Sequence, residues 1–173
     1  MTQAVSAWTT EDLKTYLQQE EWQAADQITF WLMLQATGRV DAGWLDVGAI
    51  ASLPCPLLHE LDYLWITASQ GQFGFSKQRD IYIQTAQYEA FQFSQQVGWT
   101  LFQVKPLAFF RFYDFLNFSL SAPPGHLPAL WYWKLPWLTS WLTGGFGTGR
   151  GAGFGDARLL DAMMLRLDRC SLI

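Results

Sequence analysis

Charged side chains are scarce in this chain: Asp, Glu, Lys and Arg make up 15% of its 173 residues, with a net charge of −4. No basic stripe is present to follow a phosphate backbone, which argues against nucleic acid as a partner. Cysteine is limited to Cys55 and Cys170. Two thiols so far apart offer neither metal-ligand spacing nor a disulfide framework, so a reducing, cytoplasmic setting is expected. No apolar run approaches the roughly 18 residues of a membrane span. The first residues show neither a secretory signal pattern nor an Arg-rich transit peptide. Histidine is limited to His59 and His126; the first reads as a surface residue and the second as a structural hydrogen-bonding group in a Pro/Gly-rich turn. There is no Ser/His/Asp or Cys/His order, no phosphate loop after a strand and no paired metal-ligand motif. The expectation is a protein that is not an enzyme, with no metal site and no required cofactor.

What the chain has instead is aromatic surface. Phe, Trp and Tyr reach 17%, ten of them tryptophan, and such rings either fill a core or line a site for a flat, greasy ligand. Helical periodicity dominates. Thr9 and Thr10 offer an N-cap before Leu13, Tyr16 and Leu17, and a second helix runs from about Glu21 to Ala36. Gly43-Trp44-Leu45-Asp46 leads into a short helical turn carrying Val47 and Ile50. Leu57, Leu58, Leu61, Leu64 and Trp65 form one face of a fourth helix. Gly71 suits its end, Ser76 suits the N-cap of the next, and Tyr88 to Val97 offers one more. No strand alternation is convincing, and the predicted class is all-α. Between the fourth and fifth helices, Phe73-Gly74-Phe75 reads as a core plug; a wall of a ligand cavity is the alternative.

The character changes after Trp99. Seven aromatics lie between Phe102 and Phe118, with Lys105, Arg111 and Asp114 the charges among them. Rings interleaved with cations in a loop-rich stretch suit a concave apolar site for a flat macrocycle carrying carboxylates. Ser119 to Pro128 is too rich in proline and glycine for helix. The chain therefore divides into a domain at 9–130, a Trp-rich segment at 131–143, a Gly-rich linker at 144–155 and a C-terminal amphipathic helix at 156–173. The linker's Gly-Thr-Gly-Arg-Gly follows no strand and is read as flexible. The Trp-rich run either folds back over the site or lies shallowly at a membrane interface, a peripheral contact that its tryptophans favour and its length limits.

Several motifs occur together: Trp44-Leu45, Leu64-Trp65, Ser69-x-Gly71-x-Phe73-Gly74-Phe75-Ser76-x-Gln78, Val97-Gly98-Trp99, and Phe118-Ser119-Leu120-Ser121-Ala122-Pro123-Pro124-Gly125-His126-Leu127-Pro128. In this order they resemble the genomes-uncoupled-four family, over roughly Ala24 to Pro128. The resemblance implies a compact multi-helix, hand-shaped domain whose hydrophobic palm holds protoporphyrin IX or Mg-protoporphyrin IX. It also implies a non-catalytic regulator of chlorophyll biosynthesis in cyanobacteria and plastids, presenting porphyrin to the magnesium chelatase large subunit. Carried over by position, the palm and its loop include Val47, Ile50, Phe109, Arg111, Phe112 and Leu116. The pattern departs after the Gly-His-Leu-Pro turn. Family members place an Asn and two Arg there to meet propionates, where this chain has Trp131, Lys134 and Trp137. Phe109 and Phe112 also stand where tryptophan is usual. The pocket is thus greasier and less basic, which leaves open another tetrapyrrole, such as a linear bilin, or an interaction adaptor that lost its ligand.

Overall fold

The computed structural model describes residues 8–104, 107–133, 153–154 and 157–172. Helix α1 (Thr10–Gln18) starts at a capping box: the Thr9 hydroxyl accepts the Asp12 N–H, and the Asp12 carboxylate accepts the Thr9 N–H. α2 (Trp22–Ala36) is buried around most of its circumference, including Trp22, Ala25, Ile28, Phe30, Met33 and Leu34, as a central helix must be. The loop after it is pinned by Arg39, which lies 3.0 Å from the Asp46 carboxylate and 4.5 Å above the Trp44 ring. Asp46 then caps α3 (Val47–Ser52) by accepting the Ala49 N–H at 2.7 Å.

α4 (Cys55–Ala68) packs Leu58, Leu61 and Trp65 inward, and the Trp65 indole N–H donates to the Thr29 hydroxyl of α2. Phe73 and Phe75 are wholly buried. Phe73 meets the edges of Trp22 and Trp65 at 5.5 and 6.3 Å, so this turn is a core plug. α5 (Phe75–Asp80) continues into a π-helical turn (Ile81–Thr85), and α6 (Ala90–Gln96) follows. The N-terminus of α5 departs from expectation. Gly74, not Ser76, is the N-cap residue, and the cap is supplied by Asp62 of α4, whose Oδ1 accepts the Ser76 N–H at 2.8 Å. At φ +136° a Cβ on Gly74 would lie 2.8 Å from that oxygen and 2.9 Å from Ile66, so only glycine lets α5 approach its cap.

The mostly helical class holds, with one addition. β1 (Thr100–Val104) and β2 (Leu107–Phe110) form an antiparallel hairpin, and β3 (Gly153–Phe154) adds to β2. A bulge between Thr100 and Phe102 shifts the register, leaving Leu101 and Phe102 both exposed. That removes the period-two pattern by which a strand is recognised. β3 also gives backbone pairing to two residues of the expected linker; the rest of that linker lies outside the described residues. α7 (Leu130–Trp133) and α8 (Ala157–Arg169) complete the chain, α8 burying Leu159, Leu160, Met163, Met164 and Leu167. The cysteine expectation is overturned: Cys55 and Cys170 are joined as a disulfide across a sequence separation of 115. Distance in sequence hid what docking of α8 beside α3 brings within bonding range.

Candidate ligand-binding surface

Trp99 organises the aromatic region. It is fully buried and surrounded by Phe93, Trp131, Tyr132 and Trp133 at centroid distances of 5.0 to 6.0 Å. Phe110 of β2 packs on Tyr132 and Trp133, and the Trp133 indole N–H donates to the Arg111 carbonyl at 2.8 Å. The end of the hairpin is thereby bolted to α7. Phe109, pointing away from Phe110 along the strand, is half-buried and stacks on the exposed Phe102 at 5.2 Å. Phe112 is half-buried and meets the edge of Phe115, which is 76% exposed.

Arg111 lies between Phe109 and Phe112 in sequence and is half-buried, with its Nε donating to the Thr100 carbonyl at 3.3 Å. Its two terminal nitrogens have no hydrogen-bond partner among the described residues. Leu116 is nearly buried, and Trp131 has no exposed surface and gives its indole N–H to the Pro128 carbonyl. Val47, at the start of α3, is 46% exposed, whereas Ile50 is wholly buried on the helix that packs against α8. Of these residues, Trp131 belongs to the Trp99 cluster and Arg111 meets it through its carbonyl, whereas Phe109 and Phe112 pair with Phe102 and Phe115, Leu116 is buried in the core, and Val47 and Ile50 lie on α3. Lys134 and Trp137 lie outside the described residues.

The larger grooves among the described residues sit elsewhere. One of about 360 Å³ between α1 and α4 is lined by Lys14, Tyr63, Glu11 and Glu60. Its lysine is already 3.7 Å from Glu11. Another of about 310 Å³ beside α8 contains Arg79, Asp161 and Asp168, and its arginine is paired to Asp168 at 2.7 Å. Acids outnumber cations in both, which disfavours a carboxylate ligand.

The two long motifs interlock. The Gly74 N–H donates to the Leu127 carbonyl and the Gly125 N–H to the Gln72 carbonyl. The Gln72 amide donates to the Ala122 carbonyl, and the Gln78 amide to those of Gly125 and Pro128. A Cβ on Gly125 would approach Ile81 to 2.8 Å at φ +71°, so this glycine is required for the approach. His126 locks the far side. Its Nε2 accepts the Asn117 N–H, so the proton resides on Nδ1 and is donated to the Val97 carbonyl. Burial holds this imidazole's pKa below the usual value. His59, by contrast, is exposed, with its Nε2 at 2.8 Å from the Cys170 carbonyl.

Sequence reasoning passed over Asp26, which is buried on α2 and accepts the Ala129 and Leu130 N–H groups and the Tyr113 hydroxyl. A lone acid inside an otherwise apolar helical face was the available signal, since such a carboxylate must find donors. It caps α7 and so holds the aromatic cluster in place.

Fold and interlock define a class: a mostly helical scaffold in which a glycine turn and a proline-rich loop clasp each other beneath an aromatic hairpin. The sequence matches the GUN4-like family over residues 5–144, and the chain belongs to that family. It is 30% identical over 120 residues to the ycf53 protein of Porphyra purpurea, an alignment covering 68% of this chain and 48% of that one. It is 31% identical over 120 residues to the Ycf53-like protein of Synechocystis, covering 68% and 49%. To the chloroplastic tetrapyrrole-binding protein of Arabidopsis thaliana it is 28% identical over 123 residues, covering 67% and 46%. The matched region thus spans about half the length of these relatives. The ligand-free structure of Arabidopsis thaliana GUN4 superposes with a TM-score of 0.63 at 27% identity, covering 94% of this chain and 95% of that one. GUN4 from Chlamydomonas reinhardtii gives 0.65 at 21% identity, covering 95% and 92%, a likeness of fold.

Proposed function

We propose that this chain is a non-catalytic tetrapyrrole-binding regulator that holds protoporphyrin IX or Mg-protoporphyrin IX and presents it to the magnesium chelatase large subunit. One observation carries the reading. Arg111 leaves its terminal guanidinium nitrogens unused among the described residues, on a stretch of chain that carries the half-buried Phe109 and Phe112 to either side of it in sequence. Aromatic faces beside an uncommitted guanidinium suit a flat macrocycle bearing propionates, which the guanidinium takes as a bidentate pair. The name of the Arabidopsis relative agrees with this class of ligand. In the proposed site Phe109, Arg111 and Phe112 touch the ligand with Val47 at the edge. Ile50, Leu116 and Trp131 are the buried members of the proposed set, and Lys134 and Trp137, outside the described residues, complete it.

A second reading, a protein-interaction adaptor that kept the fold and lost or changed the ligand, is favoured by Trp131. It stands where the family resemblance calls for a polar propionate partner, yet it is wholly buried. Titration of the full chain with protoporphyrin, Mg-protoporphyrin and a linear bilin, following tryptophan quenching and the Soret band, tests the proposal. Saturable binding of a cyclic tetrapyrrole at micromolar concentration is expected. Absence of saturable binding to all three transfers the case to the adaptor.

A further inference from the structure

The C-terminal helix is fastened at one end. Cys170, just past α8, is bonded to Cys55, the first residue of α4. Around that bond, the Arg166 guanidinium donates to the Leu53 carbonyl at the end of α3, and the His59 Nε2–H donates to the Cys170 carbonyl. Further along, Arg79 pairs with Asp168 at 2.7 Å and the Tyr82 hydroxyl donates to Asp161 at 2.9 Å. These contacts tie α8 to α3, to the start of α4 and to α5 with its π-helical turn. The two cysteines differ in burial: Cys170 is buried at 6% exposure, whereas Cys55, at the N-terminal end of α4, is half-buried. A structural disulfide sealed in a core has no such partly exposed end.

We propose that Cys55–Cys170 is a thiol–disulfide exchange site for a dithiol reductant, and that its opening releases the end of α8 from α3. The exchange balances within itself. One thiolate of the dithiol attacks the Cys55 sulfur, the Cys55–Cys170 bond breaks, and Cys170 leaves as a thiolate that takes up a proton. The second thiol of the reductant then attacks the mixed disulfide at its own sulfur. Cys55 departs as a thiolate, received by the positive end of α4, and the reductant leaves as a disulfide. Two electrons pass to the chain and two thiols result. The apolar face of α8 stays complementary to its seat, so the reduced helix opens from its last turn rather than unfolding. The loss of the tether is felt at Leu53 and along α3, because Arg166 and Cys170 grip that junction together.

The test uses the full chain equilibrated in mixtures of reduced and oxidised dithiothreitol under native conditions, with no tetrapyrrole present. Its outcome is therefore separate from that of the binding proposal. Maleimide mass labelling reads the thiols, and amide hydrogen exchange reads α3 and α8. The oxidised chain is expected to take no label and the reduced chain two. Exchange in residues 166–172 and in α3 should quicken about tenfold on reduction, as for a local opening, while α2 stays unchanged. Cys170→Ser should show the fast exchange regardless of redox state, and re-oxidation of the wild type should restore protection. The inference is overturned if the thiols remain free under oxidising conditions, if the native bond resists excess dithiol, or if exchange in α8 is equal in the two states.

Discussion

His126 illustrates how one side chain's protonation state can be built into a loop. With Nε2 accepting from Asn117 and Nδ1 donating to Val97, a second proton would face an N–H group with nowhere to point. Its folded pKa is depressed, first by burial. The stability it contributes is therefore complete above the unfolded value of about 6.5 and lost as pH falls through the depressed folded value. Urea unfolding of the wild type between pH 7.5 and 5 should show falling stability. His126→Asn, less stable throughout, should show a flatter profile. Asp62 acts in the opposite sense, since burial raises its pKa; its contribution grows on acidification, and it is common to both proteins. Gly74 is the other residue whose identity geometry dictates. Gly74→Ala is expected to cost about 1–3 kcal/mol. Gly38→Ala, at φ +65° with nothing within 4 Å, should cost only about 1 kcal/mol; chemical denaturation of both variants checks the contrast.

At the scale of elements, helices were legible because their apolar spacing survives in sequence. α2, α4 and α8 follow Trp22–Met33, Leu58–Trp65 and Leu159–Leu167 as the periodicity requires. The hairpin was not, because its bulge turns Leu101 and Phe102 to the same outer side and breaks the alternation. The cap of α5 escapes sequence reading for a different reason: Ser76 is a good local cap residue, but Asp62 reaches from another helix to accept the N–H of Ser76 itself, and no local pattern records that. The disulfide was equally invisible, being a product of how α8 docks. Closing a loop of 115 residues should stabilise the fold by about 2–4 kcal/mol. Oxidised wild type and the double variant Cys55→Ser/Cys170→Ser should differ by that amount in urea, and equal midpoints would show that the bond adds nothing.

For the molecule as a whole, the motifs that pointed to the family turn out to be structural. Ser69–Gln78 and Phe118–Pro128 are joined through Gly74–Leu127, Gly125–Gln72 and the Gln72 and Gln78 amides. Their order in the sequence therefore reports the fold more directly than the site. The Trp-rich run also divides: Leu130 to Trp133 are buried, which withdraws Trp131 and Trp133 from any lipid contact, while Trp137 and Trp141 lie outside the described residues. Among the described residues no helix is long and apolar enough to cross a membrane.

The central claim is that Arg111 meets a ligand carboxylate beside the Phe109 and Phe112 rings. It is tested most directly by measuring the Kd of protoporphyrin IX and of its dimethyl ester for wild type and Arg111→Gln, by tryptophan quenching at fixed ionic strength. The account predicts that Arg111→Gln weakens the free diacid about tenfold, equivalent to about 1.4 kcal/mol, and leaves the ester unchanged within about twofold. Equal weakening of both ligands, or no change in either, would contradict it.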